Sequence, residues 1–279
     1  MLTLILAAAL ALPPQKSDAV IGVSAIHLES GRRLAIRDTE RFPMGSVYKF
    51  PIALTVLRRA DSGTLQLDRE IMIEPKDFAP GWSPLRDKAA GRPIVLSVRE
   101  LLRQMVSISD NTASDALLRL VGGSISVTRR MAELGFGGIR IDRSEAEMAR
   151  DLTKPGGVER YAIDVRDTAS PQAMAELLVA FWQRRDGLSK ESHDLLVDWM
   201  SHSQTGSRRI KAAVRRATVT HKTGTMPGTV NDVGIITSPD GKHHIAIAVF
   251  TKASRRDKTA EAEDDIAAIV AKVYAELTR

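Results

Sequence analysis

Residues 232–251 run Asp232-Val233-Gly234-Ile235-Ile236-Thr237-Ser238-Pro239-Asp240-Gly241-Lys242-His243-His244-Ile245-Ala246-Ile247-Ala248-Val249-Phe250-Thr251. Two apolar, β-rich runs flank Ser-Pro-Asp-Gly, whose proline and glycine suit a tight reversal, so the stretch predicts a β-hairpin. Strand character also marks Val219 to Thr223, just upstream. At the other end of the chain, Val20 to Leu28 and Arg33 to Arg37 predict two more strands, joined by a turn at Glu29-Ser30-Gly31. Helical spacing fills the middle. A helix is expected from Ser46 to about Ala60, slightly kinked by Pro51 just past its first turn. Others are expected over Ser97 to Ser107, over Thr112 to Val121 with a C-cap at Gly122-Gly123, and over Ser170 to Arg184, entered through Pro171. Ile266, Ile269, Val270, Val273, Tyr274 and Leu277 form a last i, i+3, i+4 stripe. Strands at both ends and helices between them predict an α+β fold. Residues 18–44 and 191–279 would build an antiparallel five-stranded sheet flanked by helices, and residues 45–190 an inserted all-helical lobe. A cleft between two such lobes is a common ligand site.

The chain has 279 residues, 43% apolar and 27% charged, which suits a soluble globular protein and rules out a polytopic membrane protein. With no cysteine, disulfides, thiolate metal sites and a cysteine nucleophile are excluded. Forty Lys+Arg against 34 Asp+Glu give +6. The basic residues are scattered doublets such as Arg32-Arg33, Arg129-Arg130 and Arg215-Arg216, and aromatics are only 4%, so a solvated basic surface is expected and not a nucleic-acid site. Leu2 to Leu12 is an unbroken apolar run, too short to span a bilayer but of the length of a leader, with Ala9-Leu10-Ala11 as an A-x-A-like cleavage site. Residues 1–17 are therefore expected to be a signal peptide and lead-in, with a periplasmic or secreted product and no stable membrane insertion. The competing expectation is a core-docked N-terminal helix ended by Pro13-Pro14.

No H-E-x-x-H, G-x-S-x-G, G-x-G-x-x-G or P-loop pattern occurs, and His243-His244 on a strand would point to opposite faces. No metal and no cofactor is expected. What remains is serine–lysine chemistry. Ser46-Val47-Tyr48-Lys49 puts a hydroxyl and an amine on one helical face, one turn apart, where the lysine can help take the serine's proton. Alone this is a weak pattern, equally readable as a surface Ser and Lys. Ser109-Asp110-Asn111 lies between two expected helices and would by itself be a helix N-cap. Lys222-Thr223-Gly224-Thr225 lies on an expected strand and would by itself be an exposed strand end.

Together and in this order, the three motifs resemble those of the penicillin-recognising serine enzymes, the class A β-lactamases and D-alanyl-D-alanine peptidases. Arg143-Ser144-Glu145, within 141–148, resembles the R-x-E start of the class A Ω-loop, expected near 140–168, and Arg166-Asp167-Thr168 resembles its far end. The resemblance extends through Arg41 to Gly45, Trp82-Ser83-Pro84, Thr205-Gly206 with Arg209, and Asn231-Asp232, covering about residues 18 to 275. It implies the serine β-lactamase/peptidase fold and hydrolysis of β-lactams through a serine acyl-enzyme, with a small-molecule β-lactam as the partner and a monomeric enzyme.

By this resemblance Ser46 is the nucleophile, Lys49 and Glu145 are two alternative bases for acylation, and Ser109 relays a proton with help from Lys222. Ser46 and Thr225 supply the oxyanion N–H groups. Asn111, Thr223, Thr225, Arg209 and Trp82 bind substrate, Arg143 and Asp167 clamp the Ω-loop, and Glu145 activates the deacylating water. Two departures stand out. Ala149 replaces the asparagine that ends the family's loop pattern, which implies slow deacylation. Thr225-Met226-Pro227-Gly228-Thr229 is shorter than the usual connection after K-T-G. A carboxypeptidase-like cell-wall enzyme and a penicillin-binding sensor are the alternatives.

Overall fold

The computed structural model describes residues 8–279. Five antiparallel strands form the main sheet: β1 (Val20–His27), β2 (Arg33–Ile36), β3 (Thr218–Met226), β4 (Thr229–Thr237) and β5 (His244–Lys252), in the order β2-β1-β5-β4-β3. The β4–β5 hairpin turns at Gly241, where φ is +70°. β5 then pairs along its length with β1, from Ile245 opposite His27 to Lys252 opposite Val20, so the two ends of the chain meet at the centre of the sheet. A two-residue strand, Ala8–Ala9, runs parallel to Leu34–Ala35 outside β2. Ala8–Ala9 is therefore extended, in contrast to the N-terminal helix considered above, while residues 1–7, where most of the expected leader falls, lie outside the described residues.

Strand alternation divides β5 between two cores. Ala246, Ala248 and Phe250 face the helical lobe, and Ile245, Ile247 and Val249 face the other side. Helix α4 (Pro171–Trp182), capped by Ser170, packs on the first face over β1 and β5. Helix α5 (Thr259–Leu277) covers the second with Ile266, Ile269, Val270 and Val273.

The lobe departs from the sequence expectations in detail. Helix α1 (Lys49–Asp61) follows a 3-10 turn, Gly45–Tyr48. Pro51 thus falls within the first turn of α1, where helix N–H groups have no intrahelical acceptor, and not past it. The helix expected over Ser97 to Ser107 is α-helical only over Val98–Arg103 and then widens to a π turn, Gln104–Ile108. Helix α2 (Asn111–Leu120) starts with Asp110 accepting from Ala113 N at 2.9 Å. The 140–168 segment, expected as the Ω-loop, carries regular structure of its own. It holds helix α3 (Glu145–Leu152), started by a Ser144/Glu147 capping box, and a second helix, Gly157–Ile163. Two short strand pairs were not anticipated: Phe42–Pro43 with Thr168–Ala169, and Glu70–Ile73 with Ile94–Ser97.

Candidate active site

Ser46 sits in the 3-10 turn ahead of α1, partly exposed at the floor of a cleft of about 610 Å³. Two contacts fix this turn. Asn231 Nδ2 donates to the carbonyls of Pro43 (2.8 Å) and Met44 (2.9 Å), and Met44 N donates to Asp167 O. Strand β3 presses against it from the other side. A Cβ on Gly224 would lie 2.2 Å from Met44 O and 3.2 Å from Ser46 N, so only glycine lets the backbones come this close. A Cβ on Gly45 would lie 3.2 Å from Thr225 N. The amides of Ser46 and Thr225 thus belong to two touching backbone segments at one edge of the cleft, the arrangement a two-donor oxyanion site requires.

Both lysines of the motifs are fully buried. Lys49 Nζ donates to Ser109 O (2.7 Å) and Asn111 Oδ1 (2.7 Å) and lies 3.1 Å from Glu145 Oε1. The last contact is an ion pair outside hydrogen-bond alignment, so Glu145 Oε1, in a carboxylate only 5% exposed, has no hydrogen-bond donor among the described residues. Lys222 Nζ donates to Ser109 Oγ (2.9 Å) and Thr223 O (2.9 Å). Burial holds the Lys222 ammonium well below its ordinary pKa, Lys49 pushes the same way, and Asp232 and Glu145 oppose them. Ser109 itself takes a left-handed backbone, φ +65°, as the π turn ends. Asn111 Nδ2 donates to Pro80 O (2.9 Å). Trp82, 62% exposed, flanks the mouth and is pinned by Nε1 donating to Ile108 O (2.9 Å).

At the far end of the cleft, Thr223 Oγ1 lies 2.6 Å from Thr205 Oγ1. Arg209 is buried, and its guanidinium is engaged: Nη1 with Gly224 O and Asn231 O, Nη2 with Thr225 Oγ1 (2.7 Å), Nε with Glu263 (3.1 Å). It borders the cleft through Thr225 as much as by its own edge.

Glu145 opens α3, and Asp115 holds it there. Asp115 Oδ1 accepts from Glu145 N (2.7 Å) and Oδ2 from Ala146 N (3.1 Å). Burial pushes the Asp115 carboxyl up to about 6, the two backbone donors pull it down, and Glu145 repels its charge. Asp115 was missed from the sequence, although it lies one helical turn after Asn111, on the same face of α2. Behind α3, Asp167 accepts from Asp142 N (2.7 Å) and Arg143 N (2.9 Å) through Oδ1, and from Arg143 Nε (2.6 Å) through Oδ2. Arg143 also reaches Asp151 (2.8 Å) and Asp164 (3.4 Å). One turn after Glu145, Ala149 lines the cleft with a methyl group.

A serine–lysine–serine–lysine constellation, buried except at Ser46 and with a carboxylate beside it, fits acyl transfer. The model of the β-lactamase enzyme family matches residues 5–277. The chain belongs to the class A β-lactamases. It is 35% identical over 265 residues to β-lactamase VEB-1 of Pseudomonas aeruginosa, covering 92% of this chain and 84% of that protein. The crystal structure of TLA-3 extended-spectrum β-lactamase superposes with a TM-score of 0.86 at 33% identity, over 95% of both chains. A variant of the last common ancestor of Gram-negative bacteria β-lactamase class A gives 0.82 at 34% identity, over 94% of both. The carboxypeptidase and sensor alternatives are not favoured by these likenesses. Within this β-lactamase cleft, Pro80, Gly81, Leu152 and Gln204 are lining residues that sequence motifs did not single out, and Met226 and Pro227 of the short connection after Thr225 line it as well. Among the described residues no group of His, Asp and Glu has the geometry to hold a metal.

Proposed function

We propose that this enzyme hydrolyses β-lactams with Ser46 as the nucleophile. Ser46 Oγ attacks the lactam carbonyl carbon, the carbonyl oxygen gathers charge before the Ser46 and Thr225 amides, and the ring C–N bond breaks. The Ser46 proton goes to Glu145, through Lys49 at 3.1 Å from it or through a water. The departing nitrogen takes the Ser109 hydroxyl proton, and Lys222, hydrogen-bonded to that hydroxyl, restores it. The substrate carboxylate is held by Lys222, Thr223, Thr225 and Arg209. Asn111 keeps one amide proton for the acyl side chain after bonding Pro80 O, and Trp82 flanks that side chain. Before the second half Glu145 gives up the proton it took and Lys222 regains the one it lost. Glu145, again a carboxylate, then takes a proton from water as the water oxygen attacks the ester carbon, and passes that proton to Ser46 Oγ as the ester C–O bond breaks.

The observation that carries this assignment is the convergence of Lys49, Ser109, Glu145 and Lys222 around the turn that bears Ser46. Ala149 offers no hydrogen bond to the deacylating water, so the acyl-enzyme breaks down slowly. The cleft is complete within one chain, which supports a monomer, and the basic surface serves solubility, not nucleic acid. The Leu2 to Leu12 run supports export to the periplasm or medium. Among the described residues no helix is long and apolar enough to cross a membrane. The test is mass spectrometry during penicillin turnover. The wild type should open the drug and carry its mass on the peptide containing Ser46, and Ser46→Ala should do neither. Undiminished turnover by Ser46→Ala would remove Ser46 from the mechanism.

A further inference from the structure

His221 precedes Lys222 on β3, so strand alternation turns the two side chains to opposite faces. The imidazole is fully enclosed, and so is its partner, Asp232 on β4. His221 Nδ1 lies 2.8 Å from Asp232 Oδ1 and 3.1 Å from Oδ2; a carboxylate can only accept, so Nδ1 donates. Nε2 has no hydrogen-bond partner among the described residues. Asp232 Oδ2 also accepts from Ile210 N at 3.2 Å, the first residue of the short helix Ile210–Ala213, directly after Arg209. One carboxylate thus ties together β3, β4 and the segment that carries Arg209.

That segment is pressed onto the pair. Gly206 has φ +74°, and a Cβ there would lie 2.5 Å from Thr223 Cγ2, 3.2 Å from His221 Cε1 and 3.5 Å from Asp232 Oδ2. Next to it stands Thr205, bonded to Thr223. The surrounding charges are mostly positive: Lys222, Lys211 and Arg209, with Lys49 beyond Lys222, against Asp232, Glu145 and the Glu263 that pairs with Arg209. Asp232 favours the charged form of both Lys222 and Lys211. A buried anion at this place offsets the cost of gathering cations where a substrate carboxylate is to bind.

We infer that His221 and Asp232 form a buried dyad that positions the carboxylate-recognition corner of the cleft, Lys222, Thr223 and Arg209. Neither residue touches the reacting atoms. The role rests on β-lactam hydrolysis being the reaction, and it concerns the substrate's carboxylate alone.

Steady-state kinetics on benzylpenicillin and on its methyl ester, which lacks that carboxylate charge, test it. His221→Leu keeps the volume and removes the donor; it should raise KM for the acid about tenfold, leave kcat within about twofold, and leave KM for the ester unchanged. His221→Asn, which returns a donor near Nδ1, should recover most of the acid KM. Should His221→Leu fail to fold, Asp232→Asn, isosteric but uncharged, carries the same comparison. Equal KM changes for acid and ester, an effect on kcat alone, or no effect of either variant on the acid would overturn the dyad. Wild-type turnover of the acid separates the two levels: without it the hydrolase assignment fails and takes the dyad's role with it.

Discussion

Ala149 is the residue at which this chain parts most clearly from the family chemistry it otherwise carries. Hydrolysis of the acyl-enzyme needs a water held within reach of both base and ester. Glu145 Oε1 is free to hold it from one side, but the next turn of α3 presents a methyl group to the cleft. Loss of one positioning hydrogen bond costs on the order of 2–3 kcal/mol in the step that uses it. Acylation can send its proton through Lys49, so the deficit falls on deacylation. Stopped-flow mixing with a penicillin should therefore show a burst of acylation followed by slow turnover. Ala149→Asn should speed deacylation about 30- to 150-fold, with acylation within about twofold. An asparagine variant that deacylates no faster would mean that another group already anchors the water.

At the scale of elements, the 140–168 segment behaves as a strapped pair of helices. Asp167 is its buckle, buried and accepting three hydrogen bonds from Asp142 and Arg143. Burial raises the Asp167 pKa and its donors oppose that rise, so the carboxylate depends on them for its charge. Asp167→Ala should cost on the order of 3 kcal/mol, less than a wholly orphaned arginine because Arg143 keeps Asp151. Amide exchange should quicken across residues 140–168, and deacylation should fall with it. Normal protection of that segment in the variant would show that the buckle lies elsewhere. The sequence revealed the ends of this strap, Arg143 and Asp167, because an arginine and an aspartate announce themselves by type. It hid the helices between them, whose apolar faces are only one or two residues wide, as in Met148 and Tyr161. The gathering of Lys49, Ser109 and Lys222 near the Ser46 turn was legible for the same reason as Arg143: residue type in a short motif marks it. Asp115 was not, since a carboxylate on a helix is ordinary until its partners, the amides of Glu145 and Ala146, fold against it. The hairpin and the C-terminal stripe were legible from periodicity, whereas the π turn before Ser109 obeys no periodic pattern.

For the molecule as a whole, stability comes from the two cores on either side of one sheet, with no covalent staple. One end of that sheet is joined through His27, at the β1–β2 turn. Its Nδ1 lies 2.7 Å from Ser30 Oγ and its Nε2 lies 3.0 Å from His243 Nδ1 in the β4–β5 hairpin. Burial lowers the His27 pKa from 6.5, against the pull of Glu29. The folded state therefore binds this proton less readily than the unfolded chain does. The resulting stability is complete above the unfolded value and is lost as pH falls below it. Between pH 7 and pH 5 the thermal midpoint should drop in the wild type and drop less in His27→Gln, which does not titrate. Calorimetry at fixed ionic strength checks this, and parallel curves for the two proteins would rule His27 out as the source. Glu29, with a lowered pKa, acts only at more acid pH, whereas Asp115, pushed up to about 6, titrates inside the window with the opposite sign and is the same in both proteins, so the difference between the two curves isolates His27.

The meeting of β1 with β5 also sets a timetable for the protein's birth. Lys16 N and the Asp265 carboxylate that receives it are 249 positions apart. At about 5–20 residues per second, a ribosome releases Val20–His27 on the order of ten seconds or more before His244–Lys252 exists to flank it. Throughout that interval the nascent chain carries a strand built to be hidden on both faces and cannot complete its sheet. The closing of this sheet therefore falls after nearly the whole chain has been made.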